Sequence, residues 1–319
     1  METNPSYAEA ACQALGDAMA ADSRIVVLGE DVGRGGIFGQ YRGLQQRFGA
    51  ARVVDTPISE ATMMGAGVGM ALAGNKPVVE MRVLDFALCA MDEIVNQAAK
   101  NRYMFGGQGR VPLLARLPMG IWSASAAQHS QSLEAWFVHL PGVVVLAPST
   151  AQDNHDLLHA ALGCGDPVIY LEHKELWGSR FKAPVAEPAA LGRARVWRHG
   201  SDLTLVSWSR QMHWAAEAAE TLASQGVSVD LIDLATLWPW DRDAVLESAA
   251  RTGRLLVTHE AVQVAGFGAE VVATAAEHTG CRIKRVAAPR IPVGYAPTLE
   301  EVSRVRPVQI VAAALALLR

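Results

Sequence analysis

Short runs of consecutive apolar residues recur through the chain, interleaved with stretches of helical spacing. In the first half they lie at Arg24–Glu30, Arg52–Thr56, Lys76–Val83, Val111–Leu117, Gly142–Pro148 and Pro167–Glu172. A sheet with one wet face spells alternating polar and apolar residues. These runs are apolar at successive positions, so both faces of their sheet are covered. Strands of that kind, interleaved with helices, build a mostly parallel sheet between helical layers, an α/β fold. Helices are predicted at about Ser6–Ala20, Ser59–Leu72, Phe86–Tyr103 and Ala151–Leu162. For the second, Thr56 reads as N-cap with Pro57 at the first helical position. The glycine-rich stretch Gly33–Gly43, after the first strand, reads as a functional loop.

The 319 residues exceed what one hydrophobic core usually fills, so two domains are expected. Between Phe181 and Arg195 the sequence is rich in Pro, Ala and Gly without a clear period, which marks a linker. Beyond it the alternation restarts. Strands are predicted at Leu203–Trp208, Val227–Leu234, Arg254–Glu260 and Arg285–Ala288, and helices at Gln211–Gln225, Asp241–Thr252, Gly268–Gly280 and the C-terminus. The division is therefore 1–185 and 186–319, two α/β domains of which the second is smaller. No fixed-period repeat appears.

Half the residues are apolar and 19% are charged, a globular composition with too much core material for disorder. Lys and Arg are scattered within a net charge of −4, so no basic stripe marks a nucleic-acid partner. Cys12, Cys89, Cys164 and Cys281 contain no CxxC, which argues against a zinc site or a disulfide framework and fits a reducing compartment. The N-terminal segment lacks a basic stretch leading into an apolar one and carries too many acids for an organelle transit peptide. The apolar runs are too short to span a bilayer. A cytoplasmic location is expected.

Two segments hold residues out of keeping with their surroundings. Glu60 stands in the first turn of a helix otherwise made of Ala, Gly and Met. It either complements the helix dipole or is a buried acid. In the second case desolvation by Ala61, Met63 and Met64 would raise its pKa and suit proton exchange with a ligand nitrogen. His129 lies in the polar run AAQHSQS at 126–132, after the loop Pro118–Ser123 and before an aromatic helix at Trp136 and Phe137. It is either a satisfied structural residue or an acid–base group presented by a rigid sheet. Other patterns read as structural. Gly65, Gly67 and Gly69 miss the dinucleotide-binding spacing and sit within a helix. Gly266 and Gly268 read as a turn and helix start. His155, His159, His199 and His278 form no metal-ligand spacing with acids or cysteines.

Seven segments, taken in order, resemble a known family: LGEDV at 28–32, DTPISE at 55–60, Asp85–Phe86, NQAAKNRYMFGG at 96–107, AAQHSQS at 126–132, PGVVVLAPST at 141–150 and DPVIYLEHK at 166–174. Their order and spacing are similar to those of the β subunits of pyruvate, branched-chain 2-oxoacid and acetoin dehydrogenases. The later segments DLATLWPWD at 233–241, THEA at 258–261 and GFGAEV at 266–271 resemble the transketolase C-terminal domain of the same subunits. The resemblance implies a pyrimidine-binding domain for thiamine diphosphate followed by that C-terminal domain. It implies that Glu60 pairs with the pyrimidine N1′ and promotes the imino tautomer that takes the thiazolium C2 proton. Phe86 would pack on the aminopyrimidine, Glu30 would join the cofactor-binding residues, and His129 would transfer protons and meet the lipoyl arm. A family potassium site, held largely by backbone carbonyls, would map to Leu113, Ala161, Leu162, Cys164 and Asp166. Members often carry Asp and Asn at the last two positions, so the site is expected to be altered or empty here. The chain has no GDG followed some 25–30 residues later by Asn, the magnesium–diphosphate motif. By the resemblance an α subunit supplies it, magnesium included, in a heterotetramer of two α and two β chains with the cofactor at the α–β interface. A lipoyl acyltransferase then accepts the acyl group.

RYMFGG, AAQHSQS and LEHK lean slightly toward acetoin-type and bacterial pyruvate-type subunits, while Arg82, Ala235, Trp238 and Trp240 are unusual and point to a different small substrate. One rival is a split transketolase acting on sugar phosphates, which needs basic residues for the phosphate; Arg82 and Arg116 are the candidates. The other is a non-catalytic scaffold subunit, against which the presence of Glu60 and His129 argues.

Overall fold

The computed structural model describes residues 4–184 and 187–319. The first half runs α1 (Tyr7–Ala21), β1 (Ile25–Gly29), α2 (Leu44–Phe48), β2 (Val53–Asp55), α3 (Glu60–Leu72), β3 (Lys76–Glu80), α4 (Ala99–Met104), β4 (Leu114–Met119), α5 (Glu134–Val138), β5 (Val144–Leu146), α6 (Ala151–Gly163) and β6 (Val168–His173). The second runs β7 (Arg195–Arg198), β8 (Leu203–Ser207), α7 (Ser209–Ser224), β9 (Val229–Asp233), β10 (Thr236–Trp238), α8 (Arg242–Thr252), β11 (Arg254–Val262), α9 (Gly268–His278), β12 (Arg282–Ala288), α10 (Pro297–Val302) and α11 (Pro307–Leu318).

The strands form a seven-stranded sheet in the order β10-β5-β6-β4-β3-β1-β2 and a five-stranded sheet in the order β12-β11-β8-β9-β7. Pairing is parallel except for β10 against β5 and β7 against β9. The expected α/β architecture is therefore present in both halves. The sequence pattern does not reveal that β10, from the second half, closes the outer edge of the first sheet, pairing Thr236 with Leu146. Leu237 is fully buried in a core that also holds Met64, Val79 and Leu117 from the first half and Val206, Ile232 and Val257 from the second. Burial of such a side chain stabilises by roughly 1.5–3 kcal/mol, so the two sheets are welded through one apolar interior. The predicted division at 185/186 falls on Val185 and Ala186, outside the described residues.

Three local expectations are corrected. Helix α3 begins at Glu60 with Ser59 as N-cap, not at Pro57 after Thr56. The Thr56 N–H instead donates to the Gly29 carbonyl at 3.0 Å, prolonging the strand contact. The stretch predicted as one helix over Phe86–Tyr103 divides into a 3₁₀ segment (Leu84–Ala90), a π segment (Glu93–Ala98) and α4. The third concerns Arg116, which is wholly buried and forms a two-bonded ion pair with Glu172 at 2.7 and 2.8 Å. Its guanidinium lies 4.8 Å from the Tyr41 ring centroid, so it is not available to a substrate phosphate. By contrast, the glycine helix behaves as expected. A Cβ on Gly67 would stand 2.6 Å from Val79 Cγ2 and 2.9 Å from Leu113 Cδ1, so glycine is what lets α3 lie close on β3.

Among the described residues no helix is long and apolar enough to cross a membrane, and all four cysteines are free thiols.

Candidate active site

In an open parallel sheet, loops leaving the carboxyl ends of the strands gather on one edge, where ligands bind. On the first sheet that edge receives Glu30 from the end of β1, Glu60 from the turn after β2, Phe86 from the segment after β3, His129 from the long loop after β4, and Lys174 directly after β6. The residues singled out for chemistry thus converge on one edge, but as two separate groups.

The first group is acidic. Partial burial, and after it the charge of Glu60, lifts the Glu30 carboxyl above its ordinary range; Arg82 opposes this and Asp31 adds to it. Arg82 itself is held by Asp31 at 3.0 Å, and Asp31 sits in left-handed backbone at φ 57°. Glu60 is half-buried within this chain, short of the enclosure that the second of its two readings requires. The reason is positional: β2 is the outermost strand of the sheet, so among the described residues no further strand lies beyond it.

The second group is aromatic and basic. The Phe86 and His129 rings meet edge to face, with centroids 5.3 Å apart at 79°. Phe86 is half-buried and His129 exposed. The loop bearing His129 is tied down at several points. The Gly120 N–H donates to the Gln131 carbonyl at 3.1 Å, and the Gln131 amide donates to Asp85 Oδ1 at 2.7 Å. Ser132 Oγ donates to Glu260 Oε1 at 2.9 Å, and the Ala124 N–H to Glu300 Oε2 at 2.7 Å. Ser123, Ala124 and Ala126 all have positive φ, at 48°, 55° and 61°. Strain of this kind persists only where surroundings over-determine the backbone, and it clusters at functional loops. Among the described residues no hydrogen bond or ring contact joins the His129 group to the Glu30–Glu60 group.

Three supporting residues were not predicted as site residues. Lys174 is buried, and its Nζ donates to the His129 carbonyl. Burial pushes its pKa down to about 8, against the pull of Asp85, Glu260 and Glu300. Asp85 is raised by burial, which outweighs its bond from Gln131. Glu260, from β11 of the second domain, accepts His173 Nε2 at 2.9 Å and the Ile121 N–H at 2.9 Å. Burial works to raise Glu260, but the His173 charge and these hydrogen bonds win and hold it at about 2. Gly120 makes room for this pair, since a Cβ there would collide with the His173 ring and the Glu260 carboxylate. Lys174 and Asp85 lie inside DPVIYLEHK and beside Phe86, so the motifs contained them; their role as props of a loop distant in sequence was invisible.

At the expected potassium positions, the Leu113 carbonyl accepts the Val168 N–H at 2.8 Å and the Ala161 carbonyl accepts the Cys164 N–H at 3.3 Å. Cys164 Sγ lies 3.4 Å from the Asp166 carbonyl. The Asp166 carboxylate is paired with Arg102, one contact being 2.6 Å. Elsewhere, the histidines whose spacing in the sequence offers no metal-ligand pattern include two that the fold brings beside an acid: among the described residues, Asp17, His155 and His159 converge.

Residues 3–179 match the family described as transketolase, pyrimidine binding domain, and residues 192–310 the transketolase C-terminal domain. The chain is 39% identical over 316 residues to the 2-oxoisovalerate dehydrogenase subunit beta of Bacillus subtilis, covering 97% of each. It is 39% identical to the acetoin:2,6-dichlorophenolindophenol oxidoreductase subunit beta of Cupriavidus necator, over 95% of this chain and 94% of that one. To the pyruvate dehydrogenase E1 component subunit beta of Rickettsia felis it is 38% identical, over 92% of each. A solved structure titled split gene transketolase, inactive beta4 tetramer, superposes with a TM-score of 0.82 over 98% of each chain at 22% identity, a likeness of fold. Fold and sequence together define a transketolase-like protein of two domains. The chain belongs to the family of β subunits of thiamine-diphosphate-dependent 2-oxoacid and acetoin dehydrogenases.

Proposed function

We propose that this chain, paired with an α subunit in a heterotetramer of two α and two β chains, catalyses oxidative decarboxylation of a small 2-oxoacid or oxidative cleavage of acetoin. For a 2-oxoacid, the carbon–carbon bond to the carboxylate breaks and carbon dioxide leaves. The remaining acyl carbon is oxidised by two electrons as the disulfide of a lipoyl group opens to one thiol and one acyl thioester. A lipoyl acyltransferase is the partner that carries this group.

The observation that carries the reading is the convergence of a carboxylate at a helix start and a phenylalanine–histidine pair on one carboxyl edge. This edge suits the pyrimidine half of thiamine diphosphate: it offers a carboxylate at the positive end of α3 and the partly exposed Phe86 ring. When bound, that cofactor supplies the electron sink. Glu60 holds a proton at the pyrimidine N1′, Glu30 lies beside it among the binding residues, and Phe86 packs on the ring. His129 moves a proton at the substrate carbonyl oxygen and meets the incoming lipoyl sulfur. Full enclosure of Glu60 comes from the α subunit, which also brings magnesium for the diphosphate. Potassium at the carbonyls of Leu113, Ala161, Leu162, Cys164 and Asp166 has oxygen donors, of which those of Leu113 and Ala161 also accept backbone N–H groups.

The split-transketolase reading is disfavoured, because Arg116 is sequestered and Arg82 is engaged by Asp31. A scaffold role is disfavoured by the intact carboxylate and histidine groups. Domains 1–185 and 186–319 are the working units, and four free thiols favour the cytoplasm. The three relatives are 38–39% identical and do not separate the substrates.

The test is reduction of an artificial electron acceptor by the α–β complex with thiamine diphosphate, magnesium and either pyruvate, acetoin or branched 2-oxoacids. Activity with one substrate that falls by about two to four orders of magnitude in Glu60→Ala is expected. A stable, cofactor-binding complex inactive with all of them would bring ketol transfer forward.

A further inference from the structure

In the first domain, α1 and α6 lie against each other. Ala11, Ala14 and Ala18 of α1 share one core with Leu157, Leu158 and Ala161 of α6, which fixes both backbones. On the outer side of that contact stand two histidines four residues apart, His155 and His159, hence on one face of α6. Their ring centroids are 5.0 Å apart at 63°. Asp17 of α1 joins them, and one ligand atom from each of the three lies within 4.8 Å of the others.

We infer that Asp17, His155 and His159 form a binding site for a borderline-soft transition-metal dication, zinc being the type, that ties α1 to α6. Tetrahedral zinc with bonds of about 2.0–2.1 Å sets its ligand atoms roughly 3.3 Å apart. Side-chain rotation alone closes that gap, because the two helices already sit at the required separation. Two imidazoles with one carboxylate select zinc, cobalt, nickel or copper over magnesium and calcium, which prefer all-oxygen sets. The fourth position opens to solvent beside the exposed Asp17.

A second, independent feature is the carboxylate behind the site. His155 Nδ1 lies 3.0 Å from Asp156 Oδ1. Asp156 is itself fixed, its Oδ1 accepting Gln152 Nε2 at 2.7 Å and its Oδ2 accepting the Ala189 N–H at 3.1 Å. A carboxylate on one ring nitrogen orients the imidazole and leaves Nε2 for a metal, the arrangement that supports ligating histidines generally. At His159, partial burial and then the His155 charge lower the pKa, against Asp17 and Asp156. The donor set differs in kind from the carbonyl cluster after α6, which presents oxygen and sulfur only.

The test is cobalt(II) titration of the untagged α–β complex in excess magnesium, read by visible absorption, with zinc-dependent melting in parallel. One saturable cobalt site per β chain is expected, with zinc competing for it and raising the melting temperature by a few degrees. His159→Gln and Asp17→Asn should each weaken uptake at least about tenfold and abolish the zinc-dependent shift while leaving the zinc-free melt within about 2 °C of the parent. Equal cobalt uptake by parent and both variants, or no saturation by the parent below about millimolar cobalt, would overturn the site.

Discussion

Among the described residues the Glu134 side chain has one partner beyond its own backbone, Trp208 Nε1 at 3.3 Å, and its other carboxylate oxygen is buried without one. Burial lifts its pKa to about 7; its own backbone and Trp208 oppose the shift and Glu260 adds slightly. Between about pH 4.5 and 7 the native state therefore holds a proton that the unfolded chain has released, so this residue's contribution to stability falls as pH rises through that window. Glutamine keeps the shape and the acceptor without the charge. Glu134→Gln is thus expected to match the parent near pH 5 and exceed it by about 1–3 kcal/mol at pH 8, read from denaturant melts across pH. A parent advantage at pH 8 would show that the ionised form is paired after all. Nothing in the sequence marks Glu134, because its isolation depends on Trp208, 74 residues away. Glu60 and His129 were legible because a lone acid in a small-residue helix and a histidine in a polar run break their local pattern. Arg116 misled for the converse reason: its partner Glu172 lies 56 residues on, and only the β4–β6 pairing brings them together.

Elements with strong local signals came through well. Helix α1 is opened by a reciprocal cap between Ser6 and Glu9, α6 by another between Thr150 and Asp153, and the strands by their apolar runs. What the spacing could not supply was helix type. The 3₁₀ and π segments between Leu84 and Ala98 keep an apolar rhythm near that of an α-helix while reorienting Asp85 and Phe86, and tertiary contacts to Gln131 and His129 decide the outcome. Helix α3 offers the sharper test. With Val79 and Leu113 so close, Gly67→Ala is expected to cost about 1–3 kcal/mol by overpacking, although alanine is the better helix former. Urea melts of the variant check this, and a gain in stability would mean that α3 can lift from β3 without loss.

Across the whole molecule, the His173–Glu260 pair binds the end of β6 to β11 and, through Ile121 and Ser132, fixes both ends of the His129 loop. Removing the carboxylate leaves His173 Nε2 and the Ile121 N–H buried without partners, the costly way to break such a pair. Glu260→Ala is expected to lose roughly 3–5 kcal/mol of stability and, under conditions where the complex remains folded, to lower kcat more than it raises KM. Calorimetry and steady-state kinetics of the complex check both, and a stable, fully active variant would separate the loop from the domain contact. No composition or spacing announced this arrangement, since its members come from two domains.

The strand β10 gives the chain a timetable. Its partner β5 leaves the ribosome roughly 90 residues earlier, about 5–20 s at common rates of synthesis. For that interval the first sheet exists with its β5 edge unpaired, able to accept a strand from a neighbouring nascent chain. A gene cut between the two halves would leave that edge without its own strand, so the first domain is not a self-contained unit of folding.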